Sequence, residues 1–137
     1  MEWLLMPYRR YADFSGRSRR MEYWMFHLFF WMILFGSAIL SAVVGLGEGD
    51  GSLVDFFEAI SGIILAIFII GSIIPLLAVT VRRLHDQDKS GWYYLLALIP
   101  YLGSFILLFF MCTKGTFGEN QYGHDPMEPN LDTDVFA

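Results

Sequence analysis

A single cysteine, Cys112, stands among the 137 residues, so no intrachain disulfide can form. It closes an apolar run, where a small buried thiol is the expected role. Charge is scarce as well. Charged residues make up 17 % of the chain and apolar residues 55 %, against usual shares of about 25 % and about 45–50 %. The deficit is concentrated. Asp, Glu, Lys and Arg are all missing from Trp24–Leu46, from Ala59–Val81 and from Gly91–Thr113. Each run exceeds the roughly 18 residues that mark a membrane-spanning candidate. None has the polar face that a soluble amphipathic helix needs, which excludes a soluble bundle. No cleavable signal peptide is visible, because the first apolar run starts late and is longer than a signal core. The first span reads as an uncleaved signal-anchor.

What is present then orders itself around these runs. We read an all-α integral membrane protein with three transmembrane helices, at 21–46, 57–81 and 91–113. A basic interfacial segment (1–20) precedes them, a polar tail (114–137) follows, and the whole forms one membrane domain. Arg9, Arg10, Arg17, Arg19 and Arg20 precede the first span, and Arg82, Arg83 and Lys89 fill the second loop, while the first loop has no basic residue. Basic flanks stay in the cytoplasm. The N-terminus and the second loop are therefore expected inside and the first loop outside. Three full spans would carry the tail outside. The alternative for the third run is a re-entrant hairpin turned at Pro100 and Gly103, which would return the tail to the cytoplasm. The length of the run favours spanning. The net charge of −5 is thus an uneven sum, and nothing in it suggests nucleic acid as a partner.

Several local features carry expectations. Trp3, Leu4, Leu5, Tyr8, Tyr11 and Phe14 interleave with Arg9 and Arg10, as in a segment lying at the lipid headgroups. Ser18 is the expected N-cap of the first span, and Glu22 falls one position late for a capping box. The first loop, with Glu48, Asp50 and Asp55, reads as a short solvated turn. Ser37, Ser41 and Gly45 form a stripe of small residues suited to close helix packing. Pro75 should kink the second span. His27 lies at interface depth and is expected to be neutral and hydrogen-bonded.

The charge cluster "RRLHDQDK" is the strongest candidate for chemistry, and it is weak. A histidine–aspartate phosphohydrolase would need more ligands than His85 and Asp86, and His124 could not reach them from an external tail. No Gly-rich phosphate loop, nucleophile elbow or HExxH motif occurs. No catalytic, cofactor-binding or metal-ligating residue is assigned, and no cofactor is expected. The structural reading makes Arg82 and Arg83 membrane-edge anchors, with Asp86 and Asp88 pairing locally and Trp92, Tyr93 and Tyr94 forming an aromatic collar. The candidate contacts to lipid or partner are Arg17, Arg19, Arg20, Arg82, Arg83, His85, Asp86, Lys89, Trp92, Glu119 and Asn120. The last two lie in "KGTFGENQYGHDP", whose Gly, Asn and Asp residues suit either a compact cap on the helix ends or a ligand loop.

Three motifs, "YADFSGRSRRMEYW", "RRLHDQDKSGWYYLLALIPYLG" and "KGTFGENQYGHDP", follow one another with spans between them. Together they resemble the small YhaH-like bacterial inner-membrane proteins catalogued as domain of unknown function 805, from about Tyr8 to Pro126. The resemblance implies a bacterial inner-membrane location and implies no activity. The expectation is a protein acting by association, as a structural, regulatory or accessory subunit. Its partners would be anionic headgroups at the cytoplasmic face and a second copy or another membrane protein. The alternatives are lipid-headgroup binding or transport, and a membrane enzyme using the His85–Asp86 loop.

Overall fold

The computed structural model describes residues 2–46 and 51–127, with backbone only for 2–5. The expected turn around Glu48 and Asp50, the side chains of Trp3, Leu4 and Leu5, and the end of the tail lie outside the described residues. Among the described residues, the regular structure is all helical apart from one isolated bridge between Asn120 and Gly123. Helix α1 spans Glu2–Arg9, α2 Arg20–Gly45 and α3 Gly51–His85. A 3₁₀ helix follows over Gly91–Leu98, and α4 spans Leu102–Cys112.

Two of these helices are long and apolar enough to cross a membrane, α2 with 26 residues and α3 with 35. At 1.5 Å per residue they extend about 39 Å and about 52 Å, against a hydrocarbon core of roughly 30 Å. None of the most apolar stretch of α2 is buried by the protein, so this is not the core helix of a soluble fold. Helix α3 outruns the expected 57–81 at both ends. Its C-terminal extension is stabilised by Arg82 and Arg83 in the last turn, where cations complement the helix dipole. It ends in a Schellman turn. Lys89 N donates to Leu84 O and Asp88 N to His85 O, each at 3.0 Å, and Asp88 takes the left-handed position at φ 58°.

The expected third spanning helix at 91–113 does not form. The 3₁₀ helix and α4, each about 16 Å long, pack against each other as a hairpin along α3. Pro100 offers no amide hydrogen, and Tyr101 turns the chain with φ 61°. Gly103 lets the two arms meet: a Cβ there would lie 1.7 Å from Leu96 O. Tyr94 and Leu107, one from each arm, both line a cavity with Leu76 and Thr80 of α3, and Phe110 meets Gln87 just beyond α3. The hairpin therefore starts and finishes at the same end of the α2–α3 pair.

That end also holds the core, built from Tyr23, Phe26, Val79, Leu84, Leu107 and Met111. Helix α1 packs on it, with the Tyr8 ring edge-on to Phe26 at 5.2 Å and the Tyr8 hydroxyl 2.6 Å from Ser72 Oγ. The basic N-terminal segment is thus tied to both long helices. The N-cap of α2 is Arg19, not Ser18, and makes no side-chain cap bond. Ser18 is buried, and its amide donates to Arg82 O at 3.2 Å. The small-residue stripe faces α3: Ser41 Oγ donates to Glu58 Oε1 at 3.4 Å, and Gly45 lies beside the same oxygen. His27 Nδ1 donates to Tyr23 O at 2.9 Å. Cys112 is exposed, because it sits on the outer face of α4.

Candidate functional site

The charged residues of "RRLHDQDK" do not point outward as a group. Arg82 and Arg83, expected as headgroup anchors, are both 0 % exposed. A guanidinium loses its water at a cost unless partners replace it, and the chain supplies some from near and distant segments while, among the described residues, Arg82 Nε and Nη1 and Arg83 Nε are left without one. Arg82 Nη2 donates to Glu22 Oε1 at 3.1 Å. Arg83 donates to the Asp86 carboxylate and to the carbonyl of Thr113. Arg17, also buried, donates from Nε to Asp86 Oδ1 at 3.0 Å and from Nη1 to Gly118 O at 2.5 Å, and it meets the carbonyl of Thr116. Asp86 therefore sits between two guanidiniums, Arg17 from the first motif and Arg83 from its own. Burial pushes its carboxyl above the ordinary value, while Arg83 and Arg17 pull it down.

The tail completes the cap. Thr116 N donates to Asp86 O at 2.8 Å. Asn120 Nδ2 donates to His85 O and to Thr116 Oγ1, each at 2.9 Å. The Gln87 amide donates to the carbonyl of Phe110. The His85 ring stacks on Tyr122 with centroids 3.8 Å apart and planes 2° from parallel, and its Nδ1 donates to Gly16 O at 3.3 Å. Asp86 presses so close to Gly115 that a Cβ there would lie 2.1 Å from Oδ2. Of the two roles open to "KGTFGENQYGHDP", this geometry is that of a compact cap.

The remaining candidates lie around the rim. Arg20 is exposed and reaches Cys112 O at 3.4 Å, and Arg19 lines a cavity beside it. Lys89 Nζ lies 4.9 Å from the centre of the Phe110 ring. Trp92 is 76 % exposed. Glu119 is exposed and lies 3.7 Å from His124 Nδ1. With the tail at this end, distance alone no longer separates His124 from His85. Even so, among the described residues no three His, Cys, Asp or Glu side chains are placed to hold a metal ion.

Residues 11–124 match the family model described as protein of unknown function (DUF805). The chain belongs to this family. The DUF805 match takes in the first two motifs that build the cap and the third as far as His124. Relatives agree over nearly the full length. Inner membrane protein YhaH of Escherichia coli (strain K12) is 41 % identical over 130 residues, covering 94 % of this chain and all of the relative. Inner membrane protein YhaI of the same strain is 38 % identical over 130 residues, covering 92 % of this chain and 96 % of the relative. No solved structure matches.

Within this DUF805 chain, sequence reasoning missed Glu22, Gln87, Thr116 and Tyr122 as parts of the site. Glu22 had a readable signal: it is the first carboxylate after Arg17, Arg19 and Arg20, at the start of the first span. The others are recognised only through contacts across 23 to 37 positions of chain.

Proposed function

We propose that this chain is a bacterial inner-membrane protein with two spanning helices and one re-entrant hairpin. Both ends of the described chain then lie in the cytoplasm, and the protein acts by association, as a structural or accessory subunit. The observation that carries this reading is the Arg17–Asp86–Arg83 cluster. It joins the N-terminal segment, the end of α3 and the tail at one end of the helix pair. Segments so bonded share one side of a membrane, and the basic residues identify that side as cytoplasmic. The cluster directs its polar groups at the protein itself, and Tyr122 covers the His85 ring, so the geometry favours a rigid scaffold over a reactive site. The names of the two relatives support the location.

The test is single-cysteine labelling in intact cells on a Cys112→Ser background, at Ser52, Asp88 and Gln121. An impermeant reagent should label Ser52 only, and permeabilisation should add Asp88 and Gln121. Labelling of Gln121 together with Ser52 in intact cells would overturn the hairpin. Labelling of Asp88 without Ser52 would invert the orientation.

A further inference from the structure

We propose that the cleft between the start of α2 and the returning tail is a binding site for one anionic phospholipid. A cavity of about 470 Å³ opens beside the cap, and Arg19, Arg20 and Lys114 bring three cations to it from two segments 94 or more positions apart. Two carboxylates also line it. Asp86 is compensated by Arg17 and Arg83. Asp125 accepts from the backbone amides of Gly118 at 3.2 Å and Met127 at 2.8 Å. Arg20 and Lys114 therefore bring two cations against Asp125, which among the described residues is held by backbone amides, and the one positive charge left over suits a phosphodiester.

The cavity does not stop at the cations. A second one of about 520 Å³ shares Arg19, Arg20 and Met127 with the first and continues along Met21, Trp24, Met25 and Cys112. Met21 and Trp24 are 61 % and 41 % exposed, and Trp24 begins the first charge-free run. A chamber that carries the cations thus continues into a slot lined by Met21, Trp24 and Met25, at the depth where headgroup gives way to acyl chain. A free anion would use the first chamber alone, whereas a phospholipid fills both. This inference rests on the cytoplasmic-edge reading above, which the labelling experiment decides independently.

Trp24 provides the probe. Trp3, Trp31 and Trp92 are replaced by Phe, and the Trp24-only protein is placed in phosphatidylcholine bilayers containing a minor fraction of brominated phosphatidylglycerol or of brominated phosphatidylcholine. A Trp31-only protein, with its indole two turns further along the lipid-facing helix, reports bulk lipid. Phosphatidylglycerol should quench Trp24 in excess of its bulk fraction, and Trp31 only in proportion to it. Each of Arg20→Gln and Lys114→Gln should lower the preference about fivefold. Thermal unfolding in micelles identifies any variant that has lost its fold, and for such a variant the unmodified protein's preference remains the test. Equal quenching of Trp24 by the two lipids would overturn the proposal. So would displacement of the brominated lipid by millimolar inorganic phosphate or glycerol phosphate, which would mark a free-anion site.

Discussion

Replacing Asp86 by Ala would remove the one side chain that both Arg17 and Arg83 use. Their guanidiniums are nearly or fully excluded from solvent, with side-chain exposures of 1 % and 0 %. Breaking a buried ion pair from one side costs about 3–5 kcal/mol, because the surviving charge stays buried without a partner. Here two charges are stranded, so the lower bound already implies about a hundredfold shift toward the opened state. The segment that opens should be the tail, since Arg17 also holds the carbonyls of Thr116 and Gly118. The assay is limited trypsin digestion in detergent micelles, following cleavage after the exposed Lys114, alongside thermal unfolding. Asp86→Ala should speed cleavage and lower the unfolding midpoint. Asp88→Asn, at an exposed position whose left-handed backbone Asn tolerates, should do neither. Replacing Arg17 and Arg83 by Met and Asp86 by Leu together should recover much of the loss. If Asp86→Ala behaves within about 0.5 kcal/mol of the parent, as ordinary surface substitutions do, the cluster does not hold the cap together.

Gly103→Ala should disrupt the hairpin at a cost above the about 1–3 kcal/mol of ordinary overpacking, because the new methyl meets the Leu96 carbonyl. Gly62→Ala, on an open helix face, should be neutral or gain up to about 1 kcal/mol from helix propensity, and thermal unfolding in micelles compares the two. Asp88→Gly should stabilise the end of α3 by about 1 kcal/mol, since Gly takes the left-handed position without a Cβ penalty; an unchanged unfolding midpoint would count against the Schellman turn. The Asp13 carboxyl is held down to about 2 by the Ser15 hydroxyl and by Arg10. Its folded value is depressed, so its stabilising contribution is present above the ordinary 3.8 and is lost as the pH falls through about 2. Asp13→Asn should narrow its stability gap to the parent over that window, by a small amount given the partly exposed pair, and a carboxyl-carbon NMR titration should find the low value directly.

The two long helices were legible because absence of charge over a sufficient length is a one-dimensional property. The hairpin was legible only as an alternative. Pro100 and Gly103 marked a break, but a run of 23 residues is also long enough for one helix. The choice depends on a contact between Gly103 and Leu96 that no local pattern encodes. Basic flanks correctly grouped the N-terminal segment with the 82–89 loop. They could not tell a solvated arginine from a buried one, because that depends on Glu22, 60 positions away, and on the tail's carbonyls. The motif "KGTFGENQYGHDP" was open between cap and ligand loop for the same reason: Asn120 acquires its role from His85 O, 35 positions earlier.

The half-depth hairpin has a consequence for the shape that the bilayer must accommodate. All the buried side chains of α2 and α3 lie in Glu22–Phe26 and Ser72–Leu84, and α1, the 3₁₀ helix and α4 gather around that half. Beyond it, among the described residues, only α2 and α3 continue. In the proposed orientation the molecule is therefore a wedge, broad in the cytoplasmic leaflet and narrow in the outer one. It displaces more lipid area from one leaflet than from the other. A bilayer relieves that mismatch by turning its convex side toward the cytoplasm. The distribution of such a protein along a cell membrane would then follow local curvature as well as any partner it binds.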